Sequence, residues 1–274
     1  QEDAELTRIG PGTPCGEYLR RFWQPVTFSD DLKDLPVAMK ILGEELVAFR
    51  DFSGRIGLVE AHCPHRGTSL EFGLVSERGI RCCYHGWLFD VDGAILETPG
   101  EPEDSTLKDR LCHGAYPTHE YNGTIFAYMG PPDQMPPFPL MDTYEREGYR
   151  LMPGKKYNYP CNWLQIPENS LDSVHVEWLH GRFPNYVLER LGRADLKRQF
   201  LRGNREVRGG PVHEKIGFDE FQYGIIKRRI MEGGSEHDPD CRIGHPVMFP
   251  NVLRVGANFQ YRVPVDDTHT LHIW

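Results

Sequence analysis

The sequence predicts an α+β protein in two parts: a small all-β module, then a region with an antiparallel sheet and helices. Three observations predict it. Short apolar runs separated by turn residues fill the stretch from Met39 to Tyr128. A proline-rich segment, MGPPDQMPPFPLMD, follows at 129–142. After it the texture changes to a helix-like run, NWLQIPENSLDSVHVEWLHGRF, before β-like stretches return from Phe218 onward.

Residues 1–37 are expected to form an N-terminal segment packed on the second region. Within 38–132, MKILGEELVAFRD, IGLVEAHC, WLFDVDGAIL and GTIFAYMG read as strands. Gly43-Glu44, Ser53-Gly54 and Asp92-Gly93 supply turns, and Asp-Gly is a strong hairpin signal. Proline lacks a backbone donor and cannot continue a sheet interior, so the proline-rich segment is a linker. In the remaining region, 133–274, a helix opens after Pro167 with Gly181 near its end. DEFQYGIIKRRIM, VMFPNVLRVGANFQYRVPV and THTLHIW supply its sheet. HTLHIW reads like the middle of a strand, and the chain starts at Gln1 rather than Met. Further residues are therefore expected at both ends, with a C-terminal part above all.

The chain has 274 residues, 39% of them hydrophobic, enough for one or two domains. A net charge of -9 and a pI of about 5.7 argue against binding nucleic acid or an anionic membrane through a general electrostatic field. No apolar run approaches the length of a membrane span, and no secretory signal pattern is visible. Seven cysteines are too sparse for a disulfide scaffold. Three of them crowd into positions 63, 82 and 83, a pattern of metal binding in a reducing compartment, so a cytoplasmic location is expected.

The stretch CPHRGTSLEFGLVSERGIRCCYHGW carries the first candidate site. Cys63 and His65 are two apart, Cys82 and His85 three apart, with sixteen residues between the pairs. Four such ligands suit either a closed tetrahedral zinc site or a [2Fe–2S] cluster of the Rieske type, in which two cysteines hold one iron and two histidines the other. The surroundings favour the cluster. Both pairs fall on turns of predicted hairpins, and Pro64, Gly67 and Gly86 suit loops whose backbone comes close to sulfide. Tyr84 and Trp87 place aromatics beside a ligand histidine. Cys83, one residue from its histidine partner's spacing, reads as a small packing residue.

The second candidate site lies in PENSLDSVHVEWLHG, with Glu168, Asn169, Asp172, His175 and His180. Asp172 and His175 are three apart and share a helix face. His175 and His180 are five apart, a spacing that separates them by roughly 140° on a regular helix. For both to reach one ion, the helix must carry a π-type bulge or break before His180. Alone, two histidines at this spacing are more often core or surface residues than ligands. The company of Asn169, Asp172 and the upstream motif shifts that balance.

With both motifs in place, the chain resembles the oxygenase component of Rieske non-heme iron oxygenases of the aromatic-ring-hydroxylating type. LRRFWQPV, ILGEELVAFRD, CPHRGTSL, RCCYHGWLFDVDG and NWLQIPENSLDSVH all carry the likeness, which is greatest to the phthalate dioxygenase-like group. The resemblance implies a Rieske cluster on Cys63, His65, Cys82 and His85, and a mononuclear Fe(II) on His175 and His180 with one carboxylate. That carboxylate comes late in family members. This chain ends 94 residues after His180 with no matching acidic motif, so the third ligand is expected outside this sequence. Asp172 matches an aspartate that links His85 of one subunit to His175 of the next in a head-to-tail homotrimer. Asn169 matches an asparagine near the iron but could equally cap the helix, and Glu168 and Asn162 are further support there.

The implied activity uses O2 and electrons from a separate reductase, fed by NAD(P)H, with or without a ferredoxin, to hydroxylate or demethylate a small aromatic substrate. No Gly-x-Gly-x-x-Gly fingerprint for a nicotinamide or flavin occurs in the chain. An aromatic acid is a group-level analogy: Arg202, Arg205, Arg208, Arg228, Arg229, Arg242, Arg254 and Arg262 are available, each more readily read as a solvated charge. The rival from another class is a Rieske electron-transfer protein without a working mononuclear iron. His62, His113, His213 and His245 have no ligand spacing, and Cys15, Cys112, Cys161 and Cys241 read as isolated thiols.

Overall fold

The computed structural model describes residues 2–145, 147–148, 154–196, 200–202, 205–207 and 212–274. Gln1–Trp163 and Val263–Trp274 form one compact unit, and Leu164–Arg262 another. The expected limits at 37/38 and 132/133 both fall inside the first unit.

The first unit contains three small antiparallel sheets and the antiparallel pair Lys156–Tyr159 with His269–Ile273. Val37–Ile41, Glu44–Arg50 and Ile56–Glu60 form a meander. Its first hairpin turns on Leu42 and Gly43, with φ of 49° and 80°. A two-residue turn of this hand requires positive φ at both positions, so it sits one residue earlier than Gly43-Glu44. Leu74–Val75, Ile80–Arg81, Leu88–Phe89 and Ile95–Glu97 make a second meander. Its last turn holds Gly93 at φ 85°, where a Cβ would lie 2.0 Å from the His113 carbonyl oxygen. Gln24–Phe28, Thr124–Ala127 and Thr118–Tyr121 form the third sheet. Val47, Phe49, Val59, Ile80 and Phe89 are fully or almost fully buried in one core with Cys63 and Cys82.

Residues 1–37 touch parts of both regions expected from the sequence. Gln24–Phe28 pairs with Thr124–Ala127, and Arg20 donates to Glu44. Asn162 Nδ2 donates to the carbonyls of Thr7 and Asp267, and Trp163 Nε1 to that of Leu6. Asn162 therefore ties down the N-terminal segment, a different task from the expected support of an iron. The proline-rich linker contains no strand. Its Phe138 packs on Trp23 and His119, with ring centroids 5.7 and 4.2 Å away.

The second unit contains a meander of five antiparallel strands: His213–Phe221, Gly224–Met231, His245–Met248, Val252–Val255 and Asn258–Asp266. The last of these runs on into the first unit. The helical stretch departs from the single helix expected after Pro167. It opens at Gln165 and ends at Leu171. Pro167 falls in its first turn, where a missing amide hydrogen costs nothing. Asp172 is extended (φ -68°, ψ 120°), and its Oδ1 accepts the Val174 amide at 2.8 Å, an Asx turn that competes with the helix. A π-helix then spans Val176–Arg182, and an α-helix continues over Phe183–Arg190, so Gly181 lies well inside the helical stretch.

Candidate metal centres

Two loops of the first unit share one design. The Cys63 amide donates to the Thr68 carbonyl at 3.0 Å, and the Cys82 amide to the Trp87 carbonyl at 2.8 Å. In each, the glycine four residues after the cysteine donates back to the cysteine carbonyl: Gly67 at 2.8 Å and Gly86 at 3.0 Å. Those closures hold the glycines at φ 75° and 74°, a region that side chains with a Cβ disfavour.

The loops send sulfur inward and imidazole outward. Cys63 and Cys82 are buried. Burial pushes the Cys63 thiol pKa up, the amides of His65 and Arg66 pull against it, and the adjacent Cys82 adds to the rise. The rings of His65 and His85 are 4.6 Å apart between centroids. Trp87 stacks on His65 at 4.9 Å and 5°, and Tyr84 tilts against His85 at 3.8 Å. The expected aromatic support thus reaches both histidines. Cys83 is exposed, not a packing residue as expected, because turning Cys82 into the core turns its neighbour out.

These four side chains fit a two-iron cluster. Cys63 and Cys82 lie together in the core, and the His65 and His85 rings lie 4.6 Å apart outside it. A Rieske cluster needs two pairs, thiolates for one iron and imidazoles for the other. His65 Nδ1 is buried with no hydrogen-bond partner, a costly state for a polar atom that a metal bond would relieve.

In the second unit the π-helix corrects the histidine register. Its i to i+5 bonding brings residues five apart onto one side. The rings of His175 and His180 lie 5.3 Å apart at 72°. His175 Nδ1 is also buried without a hydrogen bond. Asp172 Oδ2 is 3.3 Å from it, an ion-pair distance without hydrogen-bond alignment. Asp172 and His175 meet across the break in the helix, not along one helical face. Asn169 is exposed in the middle of Gln165–Leu171 and so does not cap that helix, and Glu168 is exposed beside it.

Three features carry no signal in the spacing. Glu177 Oε1 accepts both the backbone amide and Nδ1–H of His213, each at 2.6 Å, and both side chains are largely buried. Lys227 is buried and donates its ammonium to the Ser170 carbonyl; burial lowers its pKa to about 8. Arg262 Nη2 donates to Ser170 Oγ at 2.8 Å, and burial brings its pKa down to about 10.

Arg262, 3% exposed, is therefore not the solvated charge expected of it. Arg228 is committed to the carbonyls of Cys241 and Arg242 and to Asp219. Arg229 faces Asp240, and Arg254 donates to the Gly256 carbonyl. Arg208 and the side chains of Arg202 and Arg205 lie outside the described residues. His245 pairs with Asp240, and His113 with the Glu60 carbonyl. No helix among the described residues is long and apolar enough to cross a membrane.

Comparison with known proteins finds a Rieske domain in the first unit. The family model "Rieske [2Fe-2S] domain" matches residues 22–117. The chain is 57% identical over 177 residues, 64% of its length, to a tert-butanol monooxygenase / tert-amyl alcohol desaturase oxygenase subunit of Aquincola tertiaricarbonis, of which it spans 37%. It is 47% identical over 291 residues, 97% of its length, to phenoxybenzoate dioxygenase subunit alpha of Ectopseudomonas oleovorans, of which it spans 66%. The chain thus spans less than two thirds of either relative. The crystal structure of dicamba monooxygenase bound to dicamba shares the fold, with a TM-score of 0.68 and 16% identity over 93% of this chain and 76% of that one. Twin Cys/His loops, a histidine pair on a broken helix and these relatives together place the chain in the Rieske non-heme iron oxygenases.

Proposed function

We propose that this chain is part of the terminal oxygenase component of a multicomponent system. It would take electrons from a separate NAD(P)H-dependent reductase, with or without a ferredoxin, and use O2 to hydroxylate or demethylate a small aromatic substrate. The observation that carries this is the π-helix Val176–Arg182, which brings two histidines five residues apart to one side in a chain that also has twin Cys/His loops. When bound, a Rieske cluster would relay single electrons and a mononuclear iron would activate O2.

The side chains have separate tasks. Cys63 and Cys82 hold their sulfurs in the core, where water is excluded. Trp87 fixes the plane of His65, and Tyr84 that of His85. Asp172, 3.3 Å from His175 Nδ1, would hold that proton and leave Nε2 free to ligate. Its side chain is 47% exposed, which leaves it open to His85 of a neighbouring subunit in a homotrimer. Asp172→Asn should therefore keep both metals while losing nearly all coupled turnover; normal turnover would remove the bridging role. The substrate class follows the phenoxybenzoate relative, but the tert-butanol relative makes a small tertiary alcohol the alternative to screen. The free cysteines suit a reducing, cytoplasmic setting.

A second reading, electron transfer alone, draws on the lack of a third ligand among the described residues. Electron paramagnetic resonance of the anaerobically reduced, iron-replete subunit with nitric oxide separates the two. A Rieske signal together with a high-spin iron–nitrosyl signal supports the oxygenase. A Rieske signal alone puts electron transfer first.

A further inference from the structure

The two ligand loops share more than their internal hydrogen bonds. In each, the residue just before the cysteine reaches forward to the carbonyl of the loop's glycine. Arg81 Nη1 donates to the Gly86 carbonyl at 2.6 Å. His62 Nδ1 lies 3.1 Å from the Gly67 carbonyl. Each of these side chains is held from behind by a strand glutamate, Glu97 of Ile95–Glu97 or Glu45 of Glu44–Arg50. Arg81 Nη2 donates to Glu97 Oε2 at 2.7 Å, and His62 Nε2 meets Glu45 Oε2 at 3.0 Å. The arrangement recurs on two loops whose sequences differ at every position between cysteine and glycine.

We infer that Arg81 with Glu97, and His62 with Glu45, are paired braces that position the ligand loops and thereby set the reduction potential of the cluster those loops hold. This rests on the assignment of the cluster to Cys63, His65, Cys82 and His85. The physical route is the glycine peptide. Pinning its carbonyl fixes the turn that the Gly67 and Gly86 amides close on the cysteine carbonyls, and with it the backbone amides that follow each cysteine. Hydrogen bonds to cluster sulfur are among the main determinants of potential. The Arg81 brace is the stronger. Arg81 is 28% exposed and uses both arms of its fork, whereas His62 is 57% exposed. As a bare surface ion pair, Arg81–Glu97 would contribute little. Its value lies in the bond to the carbonyl.

A positioning role and a simple charge effect predict different results. Lysine at position 81 keeps the charge but cannot bond Gly86 and Glu97 with one planar fork. The test uses the purified protein with its cluster, measuring midpoint potential, g-values of the reduced cluster, and rate of cluster loss to a chelator in Arg81→Lys, Arg81→Met, Glu97→Gln and His62→Gln. The expected result is that Arg81→Lys and Arg81→Met shift potential and g-values alike and lose cluster about ten-fold faster, with Glu97→Gln moving the same way and His62→Gln less. Arg81→Lys matching the parent while Arg81→Met and Glu97→Gln shift in opposite senses would overturn the brace in favour of charge alone. A lowered melting temperature with unchanged potential and g-values in every variant would overturn it too. If Arg81→Met does not fold, Arg81→Lys and Glu97→Gln carry the same decision. Lack of a Rieske signal in the parent protein would instead remove the cluster assignment itself.

Discussion

The two candidate centres are built by opposite means. The first spreads its ligands over two loops of identical hydrogen bonding, each closed by a glycine at φ near 75° and packed into a core by its cysteine. The second takes both histidines from one helical stretch and brings them together by changing the helix period. A loop site of the first kind is rigid on its own because its two cysteines are also core residues. A helix defect has no such support, since regular α-helix competes with it along its length. The difference teaches that the first centre should keep its cluster when residues around it change, with only its potential and loss rate altered, and should lose it outright only at its candidate ligands. The second should depend on residues that hold the defect open.

The largest expected effect tests whether the centres are independent. Cys82→Ser removes a buried candidate ligand from one pair and should abolish the visible absorption and paramagnetic signal of the cluster. His175→Ala should leave that signal intact and eliminate the iron–nitrosyl signal. Metal analysis and electron paramagnetic resonance of both variants read this directly. Loss of both signals in His175→Ala would show that the helix supports the loops as well, and the contrast would fall.

Much of the first centre was legible because its chemistry is local in sequence. Cys-x-His and Cys-x-x-His name the candidate ligands, and Gly67 and Gly86 mark the turns that place them. The requirement for a bulge before His180 was also legible, since five residues cannot share a face at 3.6 per turn. Its position was not. The Asx turn at Asp172 ends the first helix, and only the competition of that carboxylate with the helix for the Val174 amide explains it. The anchors were not legible either. His213 lies 36 residues from Glu177, so strand register, not spacing, brings them together. Asn162 looked like part of the iron site because the motif is near in sequence, yet its amide is used on Thr7 and Asp267.

The next effect concerns what keeps the first unit stiff. Asp51 and Asp90 have buried carboxylates, and Arg55 Nη2 lies 2.7 Å from one and 2.8 Å from the other. Arg78 adds a second bond to Asp90, and the Gly79 amide one to Asp51. The network links the turns at 51–55, 76–79 and 90–94. Burial pushes both carboxyls up, but hydrogen bonds outweigh it. Ser53, the amides of Arg55 and Gly79, and the Arg55 guanidinium hold Asp51 below its ordinary pKa. Arg78, the Val91 amide and Arg55 do the same for Asp90. Because the folded pKa values are depressed, this stability is fully present above the unfolded value near 3.9. It is lost as pH falls through the folded values. Asp51→Asn leaves Arg55, 41% exposed, still paired with Asp90, so it should cost about 1–3 kcal/mol, the range for a buried polar group whose bonds are mismatched, and should flatten the acid limb of the stability curve. Denaturant titrations from pH 7 down to pH 3 check both; an unchanged acid limb would mean these carboxylates are not what stiffens the unit.

The smallest expected effect bears most directly on the helix defect. Glu177 is inside the π-helix, between the two histidines, and its one oxygen accepts two bonds from His213 at the start of a strand. The His213 side chain is 2% exposed and its Nε2 has no partner, so its position is fixed by packing and by Glu177. A carboxylate anchored twice to a buried strand residue resists the rotation that would return Val176–Arg182 to an α-helix. Glu177→Gln keeps an acceptor oxygen but gives up the charge-assisted bonds, which are roughly twice as strong as neutral ones. Iron affinity at His175 and His180 should fall about ten-fold, the lower end for residues that orient metal ligands. The cluster absorbance should stay constant and serve as the internal control in the same chelator titration. Unchanged iron affinity in both Glu177→Gln and Glu177→Ala would mean that the chain from Val176 to Arg182 holds the π register by itself. In that case the second centre would be as self-sufficient as the first, and the contrast in construction would carry no contrast in dependence.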